Sequence, residues 1–83
     1  MTDFPGNEKL QQAIAAARRG DKLSARRLLQ QVLTEDRENE VAWMWMASVA
    51  DSQSERRACL ERALKINPNN ARAREALVRM GVA

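Results

Sequence analysis

Residues 28–37 read Leu28-Leu29-Gln30-Gln31-Val32-Leu33-Thr34-Glu35-Asp36-Arg37, and residues 59–68 read Cys59-Leu60-Glu61-Arg62-Ala63-Leu64-Lys65-Ile66-Asn67-Pro68. The first stretch holds its apolar side chains at Leu28, Leu29, Val32 and Leu33. They return 31 residues later as Cys59, Leu60, Ala63 and Leu64, with Pro68 in the place of Arg37. Within each copy this spacing is one face of an α-helix. Leu10, Ala13 and Ala16 return 34 residues later as Met44, Ala47 and Ala50, and Ala42 and Met46 return 31 residues later as Ala73 and Leu77. A repeat of this length is the mark of stacked supersecondary units, none of which buries its apolar face alone. Helices one and two correspond to helices three and four, and a fifth helix corresponds to helices one and three.

The helices themselves follow from local signals. Phe4-Pro5-Gly6-Asn7 is a cluster of breakers that ends a flexible lead-in over residues 1–6, and Asn7 is a candidate cap for a helix starting at Glu8. Leu10, Ala13, Ile14 and Ala17 form its stripe, which stops at Arg18-Arg19-Gly20. Asp21 caps the second helix, whose stripe is Ala25, Leu28, Leu29, Val32 and Leu33. Thr34 to Asn39 carries no apolar residue and reads as a turn. The third helix, from about Glu38 to Ala50, is apolar nearly all round. Ser54 is the expected cap of the fourth helix, which ends near Ile66. Asn67-Pro68-Asn69-Asn70 stops it and starts the fifth, and Gly81 closes that one. The expected division is one domain over 7–83: a first unit at 7–37, a second at 38–68 and a capping helix at 69–80. Links this short make neighbouring helices antiparallel. The fold class is therefore all-α, an array of helix-turn-helix repeats with five antiparallel helices and no strand.

Composition agrees with helices and excludes much else. Of 83 residues, 45% are hydrophobic, and fourteen of these are alanine, which favours close helix packing. A chain of this length buries only about 60% of its unfolded surface, so the core is thin. There is no histidine, which removes the usual general base near neutral pH and the commonest metal ligand. The single cysteine, Cys59, forms no internal disulfide and no cysteine-cluster zinc site, and on an apolar stripe it reads as a small core residue. No Gly-rich phosphate loop and no Gly-x-Ser-x-Gly is present. No enzymatic activity and no cofactor are expected. The chain has no apolar run long enough for a membrane span and no basic start followed by an apolar stretch, so the cytoplasm is the expected location.

The order Trp43, Met46, Ala47, Ala50, with Ala25-x3-Leu29 after the Gly20-Asp21 turn and Pro68 after Leu60, Ala63 and Leu64, resembles the tetratricopeptide repeat over about residues 7 to 80. The pattern departs at Arg37, where proline is usual, and at Ala50, where an aromatic is usual. The small residue of the second unit falls on Arg56 counting back from Pro68 and on Cys59 counting forward from Trp43. The resemblance implies a right-handed superhelix of about two and a half repeats. The first helix of each pair would line a concave groove, and the fifth helix would cap an apolar edge. It also implies that Trp43 packs inside its repeat. Trp45 lies two residues on, about 200° around the helix, and so points nearly the opposite way.

Trp45 then faces the groove between Met44 and Ser48, packs on another helix of its own chain, or meets a second copy. A large aromatic with methionine in a groove is suited to a partner helix or peptide. The expected groove residues are Gln11, Arg18, Met44, Trp45, Ser48, Arg72 and Glu75, and the expected partner is another protein. A homodimer is the second expectation. Some members of this family hold a partner's terminal carboxylate with lysine and asparagine. Here the matching positions are Leu10 or Gln11, Ile14 or Ala15, and Trp45, which argues against that mode. The net charge of +3 divides into +3 over residues 1–34, −4 over 35–51 and +4 over 52–83. The acidic block interrupts any basic stripe, so nucleic acid is a weaker expectation than protein.

Overall fold

The computed structural model describes residues 5–81, with side chains from residue 8. Five helices follow one another: α1 (Pro5–Arg18), α2 (Lys22–Glu35), α3 (Glu40–Ser48), α4 (Gln53–Ile66) and α5 (Ala71–Arg79). No strand occurs among the described residues. α1 begins at Pro5, three residues before the expected start at Glu8, and so includes the expected cap Asn7. Proline suits the first turn of a helix, where its missing N–H would have no partner anyway. Of the expected lead-in, residues 1–4 lie outside the described residues.

The caps carry the repeat. Asp21 Oδ1 accepts from Ser24 N at 3.2 Å, Asn39 Oδ1 from Ala42 N at 3.0 Å, Ser52 Oγ from Glu55 N at 3.1 Å and Asn70 Oδ1 from Ala73 N at 2.9 Å. Asp21 and Ser52 are 31 positions apart, as are Asn39 and Asn70 and the C-terminal caps Asp36 and Asn67. Even a loop contact is repeated: Trp43 Nε1 donates to Arg37 O at 2.8 Å, and Arg74 Nη2 donates to Pro68 O. The cap of α4 is thus Ser52 and not Ser54. Ser52-Gln53-Ser54-Glu55 has the Ser-x-x-Glu spacing of a capping box, though the Glu55 carboxylate reaches Asp51 N, at 2.9 Å, one residue earlier than usual. α3 is shorter than expected. Asn39 fixes its start, and at its end Val49 N is shared between Trp45 O and Met46 O at 3.1 and 3.2 Å. α1 ends in a Schellman motif: Asp21 N bonds Ala16 O at 2.9 Å, Gly20 N bonds Ala17 O at 3.0 Å, and Gly20 has φ 85°. A side chain would be strained there, so glycine allows Asp21 to cap the next helix at once.

Neighbouring helices are antiparallel. Lys9 in the first half of α1 meets Glu35 at the end of α2 at 3.3 Å, and Glu40 at the start of α3 accepts from Asn67 beyond the end of α4 at 3.0 Å. α1 pairs with α2 and α3 with α4, while α2 touches α3, α4 touches α5 and α1 touches α3. The longest dimension is 40 Å, whereas a 14-residue helix is about 21 Å long, so the long axis is the stacking direction. The core is one cluster in which Ala13, Ala25, Ala42, Ala63 and Ala73 are wholly buried beside Leu29, Val32, Met46 and Leu60. In the register set by the caps, the wholly buried Ala25 corresponds to Arg56, which is exposed, while Cys59, the counterpart of Leu28, is buried. Burial pushes the Cys59 thiol up to about 11, which keeps it protonated at neutral pH.

Trp43 corrects an expectation. It is half-buried rather than inside the repeat, and it lies beside Leu33, Thr34, Arg37 and Arg62. Ala42, Met46 and Ala47 fill the interior, while the Trp43 ring packs on the edge of the core, where its N–H reaches Arg37 O in the turn and Arg62 lies over its face. One clasp joins the two units. Arg26 of α2 donates to Glu55 Oε1 at 2.7 Å and to Val49 O at 3.3 Å, and lies 3.6 Å from Asp51. The Arg26 hydrogen bond, helped by that from Asp51 N, holds the Glu55 carboxyl below its ordinary range.

Candidate interaction groove

The 31-residue register explains what α5 presents. Trp43, Met44, Ala47 and Ser48 of α3 correspond to Arg74, Glu75, Val78 and Arg79 of α5. α4 covers Ala47, whereas Val78 is 55% exposed. Charged residues thus replace the tryptophan, methionine and serine of α3, with Val78 exposed among them.

Between α3 and α5, with α4 behind, lies a cleft of about 440 Å³. α3 contributes Met44, Ala47 and Ser48, α4 contributes Arg56 and Leu60, and α5 contributes Arg72, Glu75, Ala76 and Arg79. A second cleft of about 220 Å³ is lined by Met44, Trp45, Ser48 and Arg72. The two share Met44, Ser48 and Arg72 and therefore form one surface. Trp45 is half-buried, packs on the core of its own chain and presents its remaining surface there. The Arg18 guanidinium sits over its ring, 5.8 Å from the centroid, a cation–π contact between α1 and α3.

Six of the seven expected groove residues thus come together: Met44, Trp45, Ser48, Arg72 and Glu75 line the surface, and Arg18 covers its aromatic end. Gln11 is exposed on α1 and lines neither cleft. Sequence reasoning missed Ala47, Arg56, Leu60, Ala76 and Arg79. The repeat could have given two of them, because Ala76 and Arg79 stand 31 positions after Trp45 and Ser48. Nothing local pointed to Arg56, which enters the cleft because its Nε donates to Ala47 O at the end of α3, at 3.2 Å.

The surface has an apolar floor and a cationic rim. Met44, Ala47, Leu60 and Ala76 form the floor. Among the described residues no carboxylate lies within 4 Å of Arg18, Arg56, Arg72 or Arg79, whereas Arg19, Arg26 and Arg57 each have an acidic partner. No group of three or more potential metal ligands occurs among the described residues, and no helix there is long and apolar enough to cross a membrane. Fold and groove together define a small all-α helical repeat array with an open cleft. No known protein family, curated protein or solved structure matches the chain.

Proposed function

We propose that this chain is an interaction scaffold of the tetratricopeptide-repeat type, which holds a peptide or helix of another protein in the groove between α3 and α5. The observation that carries this reading is the joined cleft, whose apolar floor of Met44, Ala47, Leu60 and Ala76 is open along one side. An open apolar channel with a polar edge is suited to a side chain supplied from outside. Trp45, anchored by Arg18, supplies the rigid aromatic at one end.

The test is selection from a random peptide library displayed on phage, with the native chain immobilised. Enriched peptides should lose affinity at least tenfold on Ser48→Gln, which fills the cleft from an exposed position, and on Trp45→Ala. Leu23→Ala, on the exposed side of α2, should leave them bound. Enriched peptides that bind Ser48→Gln as well as the parent, or no enrichment at all, would refute the groove. Sedimentation of the free chain separates this reading from a homodimer, which would show a concentration-dependent mass.

A further inference from the structure

Arg72 and Arg79 are seven residues apart on α5, which is about two helical turns, so their Cα atoms stand about 10 Å apart along one wall of the cleft. Neither has an ion-pair partner among the described residues, and neither do Arg56 behind them and Arg18 at the tryptophan end. The apolar floor lies between these charges. We infer that the groove takes an acidic, extended segment of a partner protein, with two carboxylates three residues apart bracketing an apolar side chain. In an extended chain of polyproline type, residues i and i+3 lie on one side and about 9 Å apart, which matches the two arginines. The apolar side chain between them then rests on Met44 and Ala76, the part-exposed apolar residues of the floor. Arginine suits this role because its planar donors grip a carboxylate in two places. Glu75 stands between Arg72 and Arg79 and is the sole carboxylate of the lining. It repels a third anionic group at that point, which favours two separated carboxylates over a polyanion charged at every step. This inference rests on the groove reading above and names the chemistry of its partner.

The experiment uses the full chain and a fluorescein-labelled peptide, Gly-Gly-Glu-Leu-Ala-Glu-Gly-Gly, with fluorescence anisotropy as the readout. The expected result is binding at least tenfold tighter than that of the same peptide with glutamine for both glutamates. This preference should shrink between 50 and 500 mM salt, a range spanning roughly a threefold change in screening length. The double variant Arg72→Glu with Arg79→Glu should abolish the preference, and Arg27→Glu, an exposed change on α2, should keep it. Circular dichroism checks that the variants fold. Should the double variant not fold, Arg72→Gln and Arg79→Gln taken singly should each weaken the preference at least threefold. Equal binding of the two peptides overturns the inference and leaves the groove reading standing, to be judged by the library selection. A preference that survives in both arginine variants, or no measurable binding of the acidic peptide, overturns it as well. So does tighter binding of a twelve-residue oligothymidine, which would assign the rim to nucleic acid. A salt-sensitive dimer lost on Arg72→Glu would also overturn it, because the acidic loop of a second copy would then be the occupant.

Discussion

Replacing Leu29 by alanine removes the largest completely buried side chain among the described residues. Three carbons leave the core. At about 0.8 kcal/mol for each buried methylene, the transfer cost is roughly 2.4 kcal/mol. The cavity adds to this, and its size depends on whether neighbours can collapse into it. Much of the buried cluster is alanine, with Ala13, Ala16 and Ala25 among its members, and an alanine has no length to reach across a gap. The cost should therefore lie in the upper part of the usual range, about 3 to 5 kcal/mol. A domain of this size has a total stability of roughly 4 to 12 kcal/mol. The assay is urea denaturation followed by the fluorescence of Trp43 and Trp45. With a slope of about 1 to 1.5 kcal/mol per molar for a small protein, the midpoint should fall by at least about 2 M. Leu23→Ala is the control. It makes the same substitution in the same helix, where the side chain is 69% exposed, so helix propensity cancels. It should change stability by no more than about 0.5 kcal/mol. A cost below about 1 kcal/mol for Leu29→Ala, or equal effects at the two leucines, would refute the placement of α2.

Asn70→Ala should cost more than Asn39→Ala, by about 1 kcal/mol in thermal melts. Both lose a helix cap, but the Asn70 amide also donates to Glu40 Oε2 at 2.6 Å. Trp43→Phe should cost about 1 kcal/mol, the worth of its bond to Arg37 O, and Trp43→Ala about 2 to 3 kcal/mol because the ring is only half-buried; a cost above about 4 kcal/mol would show it to be core. The contribution of the Arg26–Glu55 clasp should be constant from about pH 8 to pH 5. The folded Glu55 carboxyl lies below its unfolded value, so this contribution is present above about pH 4.3 and lost as the pH falls through the folded value. The midpoint difference between the parent and Glu55→Gln should therefore shrink below about pH 4, and a difference that persists at pH 2 would contradict the clasp.

The sequence by itself determined the five helices and the 31-residue register that relates α2 to α4 and α3 to α5. Both depend on neighbours in the chain: apolar residues at helical spacing, Asp21 as a cap, the Asn67-Pro68-Asn69-Asn70 break before α5, and glycine where φ turns positive at Gly20, whereas Asn39, inside the expected third helix, proves to be its cap. Helical spacing put Met44, Trp45 and Ser48 side by side on α3, but Arg72 corresponds to the exposed Val41 in the 31-residue register, so its place beside them comes from the packing of α5. Where two local signals competed, packing chose between them. Ser52 and Ser54 are both fit to cap α4, and Ser52 does so because the Glu55 carboxylate is drawn to Asp51 N and Arg26. The position of Trp43 was decided in the same way. A motif can assign an indole to the interior, but Ala42, Met46 and Ala47 occupy it here, and the ring lies at the edge of the core between its bond to Arg37 O and the Arg62 guanidinium. The cationic rim is tertiary throughout. Arg18, Arg56, Arg72 and Arg79 come from three helices and meet only when α1 and α3 pack, and when α4 and α5 flank the same cleft. A periodicity gives each residue a direction on its own helix, whereas the distance between residues on different helices is fixed by the packed core.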